Sequence, residues 1–131
     1  LLSNTTGSNN VAIGYEALYS DTTAAEVVAI GYKALRSQTG DCRNTAVGFA
    51  AGQDVTTGTG LTLIGQEAGE NITTANQCTA VGTQALRAMT TPNENTAVGY
   101  QAGVLVTTGV SNTLLGSKYS SSLANSCAIL R

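Results

Sequence analysis

The chain has 131 residues, 11% of them charged and 5% aromatic, with 15 Gly, 1 Pro, 3 Cys, no His and no Trp. Globular domains carry about 25% charged residues, so this is a single domain's length of charge-poor chain without the aromatic anchors of an ordinary core. A net charge of −2 from 6 basic and 8 acidic residues excludes a basic nucleic-acid footprint. No apolar run reaches the ~20 residues of a membrane-spanning helix.

Taken in chain order, the predicted elements are one motif written repeatedly. Val11-Ala12-Ile13-Gly14 returns as Val28-Ala29-Ile30-Gly31, then as Thr45-Ala46-Val47-Gly48, Thr62-Leu63-Ile64-Gly65, Thr79-Ala80-Val81-Gly82, Thr96-Ala97-Val98-Gly99 and Thr113-Leu114-Leu115-Gly116. The glycines Gly14, Gly31, Gly48, Gly65, Gly82, Gly99 and Gly116 are spaced by 17 without insertion or deletion. Three residues after them stand Ala17, Ala34, Ala51, Ala68, Ala85 and Ala102. One residue after them stand Tyr15, Tyr32, Phe49 and Tyr100, interrupted by Gln66 and Thr83. A Thr doublet follows half a period later, from Thr5-Thr6 to Thr107-Thr108.

A fixed short period means stackable units, and 17 residues are too few for a helical repeat of two helices. They suit one coil of a parallel β-solenoid, or β-roll, so the expected class is all-β. Val, Ile and Thr before each glycine favour a strand, and the glycine opens a corner. A second strand is predicted through the Thr doublet, with a second corner at Gly7, Gly58, Pro92 and Gly109. Stacked about 4.8 Å apart, the coils make a rod roughly 35 Å long. The whole of 1–131 reads as one repeat domain of about 7.7 coils, cut in mid-coil at both ends. It begins at Leu1 without a signal peptide, as an excerpt or processed product would.

Alternation along a strand puts Ile13, Ile30, Val47, Ile64, Val81, Val98 and Leu115 on one face. Ala12, Ala29, Ala46, Leu63, Ala80, Ala97 and Leu114 take the other. This second face is small, apolar and uncharged, which makes it the candidate self-association surface, with three copies around a common axis as the expected assembly. A lone solenoid with that face under a corner is the alternative. A further column, Asp21, Gln38, Val55, Ile72, Met89, Val106 and Leu123, is expected to line a modest core.

The string Asn10-Val11-Ala12-Ile13-Gly14 resembles the head repeat of trimeric autotransporter adhesins, the YadA-like head. The form Asn95-Thr96-Ala97-Val98-Gly99-Tyr100-Gln101-Ala102-Gly103, with Thr107-Thr108-Gly109 after it, is similar to repeats of phage tail fibres and related surface fibres. The resemblance covers essentially the whole chain. It implies a left-handed β-roll assembled as a trimer.

Chemistry has little to work with. No Ser/His or Cys/His arrangement exists, and the only carboxylates close in sequence, Glu67 and Glu70, read as a solvated turn. No enzyme, cofactor or metal is expected. Glu16 and Lys33 are expected to neighbour each other on a mixed-charge face. Cys42 and Cys127 share a column five coils apart, about 24 Å, and Cys78 lies in another column, so no intrachain disulfide is possible. These cysteines are small filler side chains or interchain links. Tyr15, Tyr32, Phe49 and Tyr100 are a candidate ligand face for sugars, or a rung-to-rung stack. Consecutive threonines should point alternately in and out, against a two-wide ice-binding array.

The expected function is a structural or adhesive extracellular fibre segment, on a cell surface or virion. It is a rigid rod that associates with itself as a homotrimer or head-to-tail filament. The alternative is a surface-ligand module for ice, glycan or a host receptor, built on the Thr or Tyr columns. Neither nucleic acid nor membrane insertion enters either reading.

Overall fold

The computed structural model describes residues 2–40 and 42–117. Seven three-residue strands recur every 17 residues: β1 (Val11–Ile13), β2 (Val28–Ile30), β3 (Thr45–Val47), β4 (Thr62–Ile64), β5 (Thr79–Val81), β6 (Thr96–Val98) and β7 (Thr113–Leu115). They form one parallel sheet in sequence order, in the register that the repeat dictates, with Ala12 opposite Ala29 and Ile13 opposite Ile30. The chain is a parallel β-solenoid. We number its coils 1 to 7, from residues 4–20 to 106–117.

Each coil turns away from its strand at the motif glycine. At Gly31 φ is +131°, and a Cβ there would lie 2.3 Å from the carbonyl oxygen of Gly48 in the next coil. Only glycine fits both demands. The same approach, between 2.2 and 2.6 Å, recurs from Gly14 to Gly99. Overlapping turns then follow. Ala34 N–H donates to the Gly31 carbonyl, Arg36 to Lys33 and Gln38 to Leu35. Lys33 and Leu35 have φ of 57° and 48°, the positive value that a type II turn needs at its third residue. Left-handed residues also recur outside glycine from Glu16 to Gln101, from Leu18 to Leu86 and from Asn9 to Ser111. Each costs about 1–2 kcal/mol, so the turns hold only because neighbouring coils fix them.

The predicted second strand is absent among the described residues. At the Thr doublet, Thr39 N–H donates to Thr56 O and Thr56 N–H to Thr73 O, at 3.0 and 2.9 Å. The bonding is only one residue wide. Thr5 and Thr6 both donate to the carbonyl of Thr22, which ends the ladder where a strand would continue it.

The core is narrow, and this reverses the expected faces. Ala29, Ala46, Leu63, Ala80 and Ala97 are fully buried and Leu114 nearly so, while Ile13, Ile64, Val98 and Leu115 remain 38–60% exposed. The Ala column is therefore the inward face of each coil and not a surface for a second copy. The reason is space: the turns supply Leu18, Leu35, Val55 and Ile72, and the residue before the strand supplies Val27 and Leu61, to the same interior. Little more than a methyl group then fits on the strand. Where the turn column holds glycine, a strand leucine fills the gap, with Leu63 Cδ1 lying 2.6 Å from a Cβ placed on Gly52. The column from Asp21 to Val106 does line the core, each member being 0–1% exposed; Leu123 lies outside the described residues.

An asparagine ladder ties the coils together. Asn44 Oδ1 accepts from Leu61 N–H at 2.9 Å, and its Nδ2 donates to Gly58 O at 2.7 Å. Asn10 serves Val27 and Ala24 in the same way, and Asn95 serves Asn112 and Gly109. These side chains satisfy buried backbone groups that the short strands leave over. Cys78 occupies the same column and points its Sγ at Pro92 O, 3.4 Å away.

Candidate interaction surface

Alternation about the strand brings three side-chain columns to the outside of the sheet and its corner. The first runs from Val11 and Val28 through Thr45, Thr62, Thr79, Thr96 and Thr113. The second is Ile13, Ile30, Val47, Ile64, Val81, Val98 and Leu115. The third is the aromatic column. No rung of the three carries a charged residue. At about 4.8 Å per coil and 3.3 Å per residue, the face measures about 30 Å by about 13 Å. That is the size of the largest apolar patch on a typical monomer, which is often functional. The sequence pattern identified both strand faces but not which one faces outward, because the width of the interior is set by the turns.

The aromatic column divides in two. Tyr15 stacks on Tyr32 with ring centroids 5.5 Å apart, and Tyr32 on Phe49 at 5.1 Å, with interplanar angles of 14° and 9°. Tyr100 stands three coils further on, beyond Gln66 and Thr83, and is 56% exposed. The four residues thus do not form one surface. Within the ladder each ring covers the next, so Tyr32 offers solvent mainly its edge. Lys33 Nζ lies 5.1 Å from the Tyr32 centroid. A hydrogen bond to Glu16, together with the charge of that carboxylate, raises the pKa of the Tyr15 phenol.

Glu16 and Lys33 stand in register on adjacent coils, as expected. Glu16 Oε2 accepts from Arg36 Nε at 2.8 Å. Glu67 and Glu70 share Arg87, at 3.2 and 2.7 Å. Donation from Gln84 Nε2 holds Glu67 below the ordinary glutamate pKa, with smaller help from Gln66 and Arg87 against the effect of burial. The pair of carboxylates is thereby part of a surface ion-pair network on coils 4 and 5.

Cys42 and Cys78 are 2% and 0% exposed, which suits small filler side chains better than interchain links. Burial also raises the pKa of the Cys78 thiol, suppressing the thiolate that reacts. Cys127 lies outside the described residues, as do Lys118 and Asp41. Among the described residues no group of three His, Cys, Asp or Glu side chains could hold a metal ion, and no helix is long and apolar enough to cross a membrane.

The Thr doublets depart from the expected alternation. Both columns face solvent: Thr5, Thr22, Thr39, Thr90 and Thr107 are exposed, with Thr56 and Thr73 half-buried, and Thr6, Thr23, Thr57, Thr74, Thr91 and Thr108 are exposed beside them. Alternation applies to extended strand, and this segment is a bend. The hydroxyls of Thr5, Thr56 and Thr73 donate to the carbonyl of the threonine one coil on.

No family model, curated protein or solved structure matches the chain.

Proposed function

We propose that the chain is a rigid segment of an extracellular fibre, on a cell surface or virion, that associates with copies of itself through the outward face of its strands. The observation that carries this reading is the uncharged outer face of all seven strands, with Val11, Ile13, Ile64, Val98 and Leu115 open to solvent. Burying such columns against another rod recovers about 25 cal/mol per Å² of apolar surface. The resemblance to YadA-like head and tail-fibre repeats supports three parallel copies and a location outside the cell. In this role the chain does no chemistry. Its work is to hold a spacing and display its corners to a host surface.

Sedimentation equilibrium tests the assembly. The wild type is expected at three times the 13.2 kDa chain mass, and an Ile64→Lys/Val98→Lys variant, folded by circular dichroism, at one. A monomeric wild type at tens of micromolar overturns the reading.

A second reading, an ice-binding face, is favoured by one observation: the Thr doublets form a two-wide outward array, half a coil away from the apolar face. Thermal hysteresis that disappears in Thr57→Lys/Thr74→Lys would support it, and no hysteresis in the wild type would remove it. The glycan reading has less support, because stacking covers both faces of Tyr32 and one face each of Tyr15 and Phe49.

A further inference from the structure

The interior of the solenoid is not uniform along its axis. Coil 2 buries Val27 and Leu35, coil 4 buries Val55, Leu61 and Leu63, and coil 5 buries Ile72 and Leu86. Coil 3, residues 38–54, buries Gln38, Cys42, Asn44, Ala46, Ala50 and Ala51. It is the one coil among those described with no buried Val, Leu, Ile or Met. Its space is filled from outside: a Cβ on Gly52 would meet Leu35 Cδ2 of coil 2 at 3.0 Å and Leu63 Cδ1 of coil 4 at 2.6 Å.

Coil 3 also carries an unpaired polar group. Gln38 is fully buried; its Oε1 accepts from Asn44 Nδ2 at 3.0 Å, while its Nε2 has no partner. The amide cannot simply be turned over. Asn44 has committed its own oxygen to Leu61 N–H and its nitrogen to Gly58 O, so it needs the Gln38 oxygen and not the nitrogen. A buried donor without a partner destabilises the state that buries it. The sole side-chain ion pair joining coil 2 to coil 3 among the described residues, Glu26 to Arg43, is solvent-exposed on both sides and adds little.

Stability in a solenoid is a sum of coil and nearest-neighbour terms, so one weak coil divides the stack into separate opening units. We propose that coil 3 is a built-in break point. Coils 1 and 2 open as a unit while coils 4 to 7 stay folded. Opening parts the Tyr32–Phe49 contact and removes Val11, Ile13, Val28 and Ile30 from the outer face. The rod therefore shortens its apolar surface in one step at a defined place.

Native-state hydrogen exchange on the full chain tests this. Amides of residues 5–36 are expected to share one opening, at least tenfold more frequent than that of residues 55–115, with a step at coil 3. Gln38→Met copies coil 6, where Met89 Sδ sits 3.4 Å from Asn95 Nδ2. It is expected to reduce the step at least tenfold, which is about 1.4 kcal/mol. A smooth gradient from coil 1, one opening common to all coils, or a step unchanged in folded Gln38→Met overturns the proposal. Should that variant not fold, trypsin on the wild type decides. Arg36 and Arg87 are 40% and 43% exposed, and Arg36 must be cut first; equal or reversed order overturns the break point.

Discussion

Leu63 gives the sharpest test of how the interior is filled. It is fully buried, and its strand neighbours are Ala46 and Ala80. Its methyls reach over two glycines, lying 2.6 Å from a Cβ on Gly52 and 2.8 Å from one on Gly69. Leu→Ala in a core costs about 2–5 kcal/mol, depending on how far the site can collapse. Ala46, Ala80, Gly52 and Gly69 cannot grow into the vacated space, and only Leu35, Val55 and Ile72, which border the two glycines, could lean toward it. Leu63→Ala should therefore cost about 4 kcal/mol. Gly52→Leu alone should also be costly: overpacking against Leu63 adds about 1–3 kcal/mol and a left-handed leucine about 1–2 kcal/mol. Together the two changes recreate the arrangement one coil earlier, where Leu35 stands at φ 48° and Ala46 takes the place of Leu63 on the strand.

The double variant should lie within about 2 kcal/mol of wild type. Independent sites would add to roughly 7 kcal/mol, so a favourable coupling above the usual ~3 kcal/mol ceiling for contacting residues is expected. Exchange of the β4 and β5 amides reads the local opening free energy without assuming two-state unfolding of the whole rod. A double variant less stable than Leu63→Ala alone would refute the idea that strand and turn columns trade volume.

Three further outcomes follow from the backbone and the surface. Gly31→Ala should leave no folded protein by circular dichroism, since its Cβ would meet the Gly48 carbonyl at 2.3 Å with φ at +131°. Gln77→Gly should stabilise by about 0.5–1 kcal/mol in urea titrations, because Gln77 holds φ 55° in a column where Gly60 already stands at 66°; no gain would mean that the left-handed turns are unstrained. Glu67 is held below the ordinary glutamate pKa, so its contribution is fully present at neutral pH and is lost as pH falls through its depressed value. The stability difference between wild type and Glu67→Gln should be flat above pH ~5 and close only in stronger acid, below the ordinary glutamate range of about 4.3; a midpoint at or above that range, read by carboxyl carbon NMR, would contradict the Gln84 contact.

The period of 17 carried the parallel register, the coil corners and the strand positions, because a repeat without insertions can stack in only one way. What it could not carry was the width of the coil. Reading Ile13 and its column as the inner face assumes an interior wide enough for two facing rows of large side chains. The turns at Lys33 and Leu35, both left-handed, draw the opposite wall close and send Leu35 inward. Nothing in Lys-Ala-Leu announces positive φ, since neither Lys nor Leu favours it. The Thr doublet misled for a related reason: alternation was applied to two residues that are not in a strand. The asparagine column went unread, although the sequence carries its signal. Asn10, Asn44, Asn95 and Asn112 stand in register before the strands, and a polar residue repeated beside an apolar strand is the mark of a buried ladder.

Width also links the interior to the outer face. A coil that can admit only alanine on its strand must send the larger β-branched residue of that strand to the other side. The apolar surface of the rod is then a consequence of its narrow core. It would need no adhesive function to explain it if the columns varied freely between apolar and polar. They do not vary in the same way. The first outward column changes from Val to Thr after coil 2, whereas the second keeps Ile, Val or Leu on all seven rungs. Thr serves a strand as well as Val does, so strand formation alone does not require that second column to stay apolar. Packing against a neighbouring rod, as proposed above, would. The contrast between the two columns is the part of the sequence that favours a covered face over a merely hydrophobic one. If the rods associate as proposed, substituting Thr along the second column, beginning with Val81→Thr and Ile64→Thr, should release the assembly while leaving each coil folded.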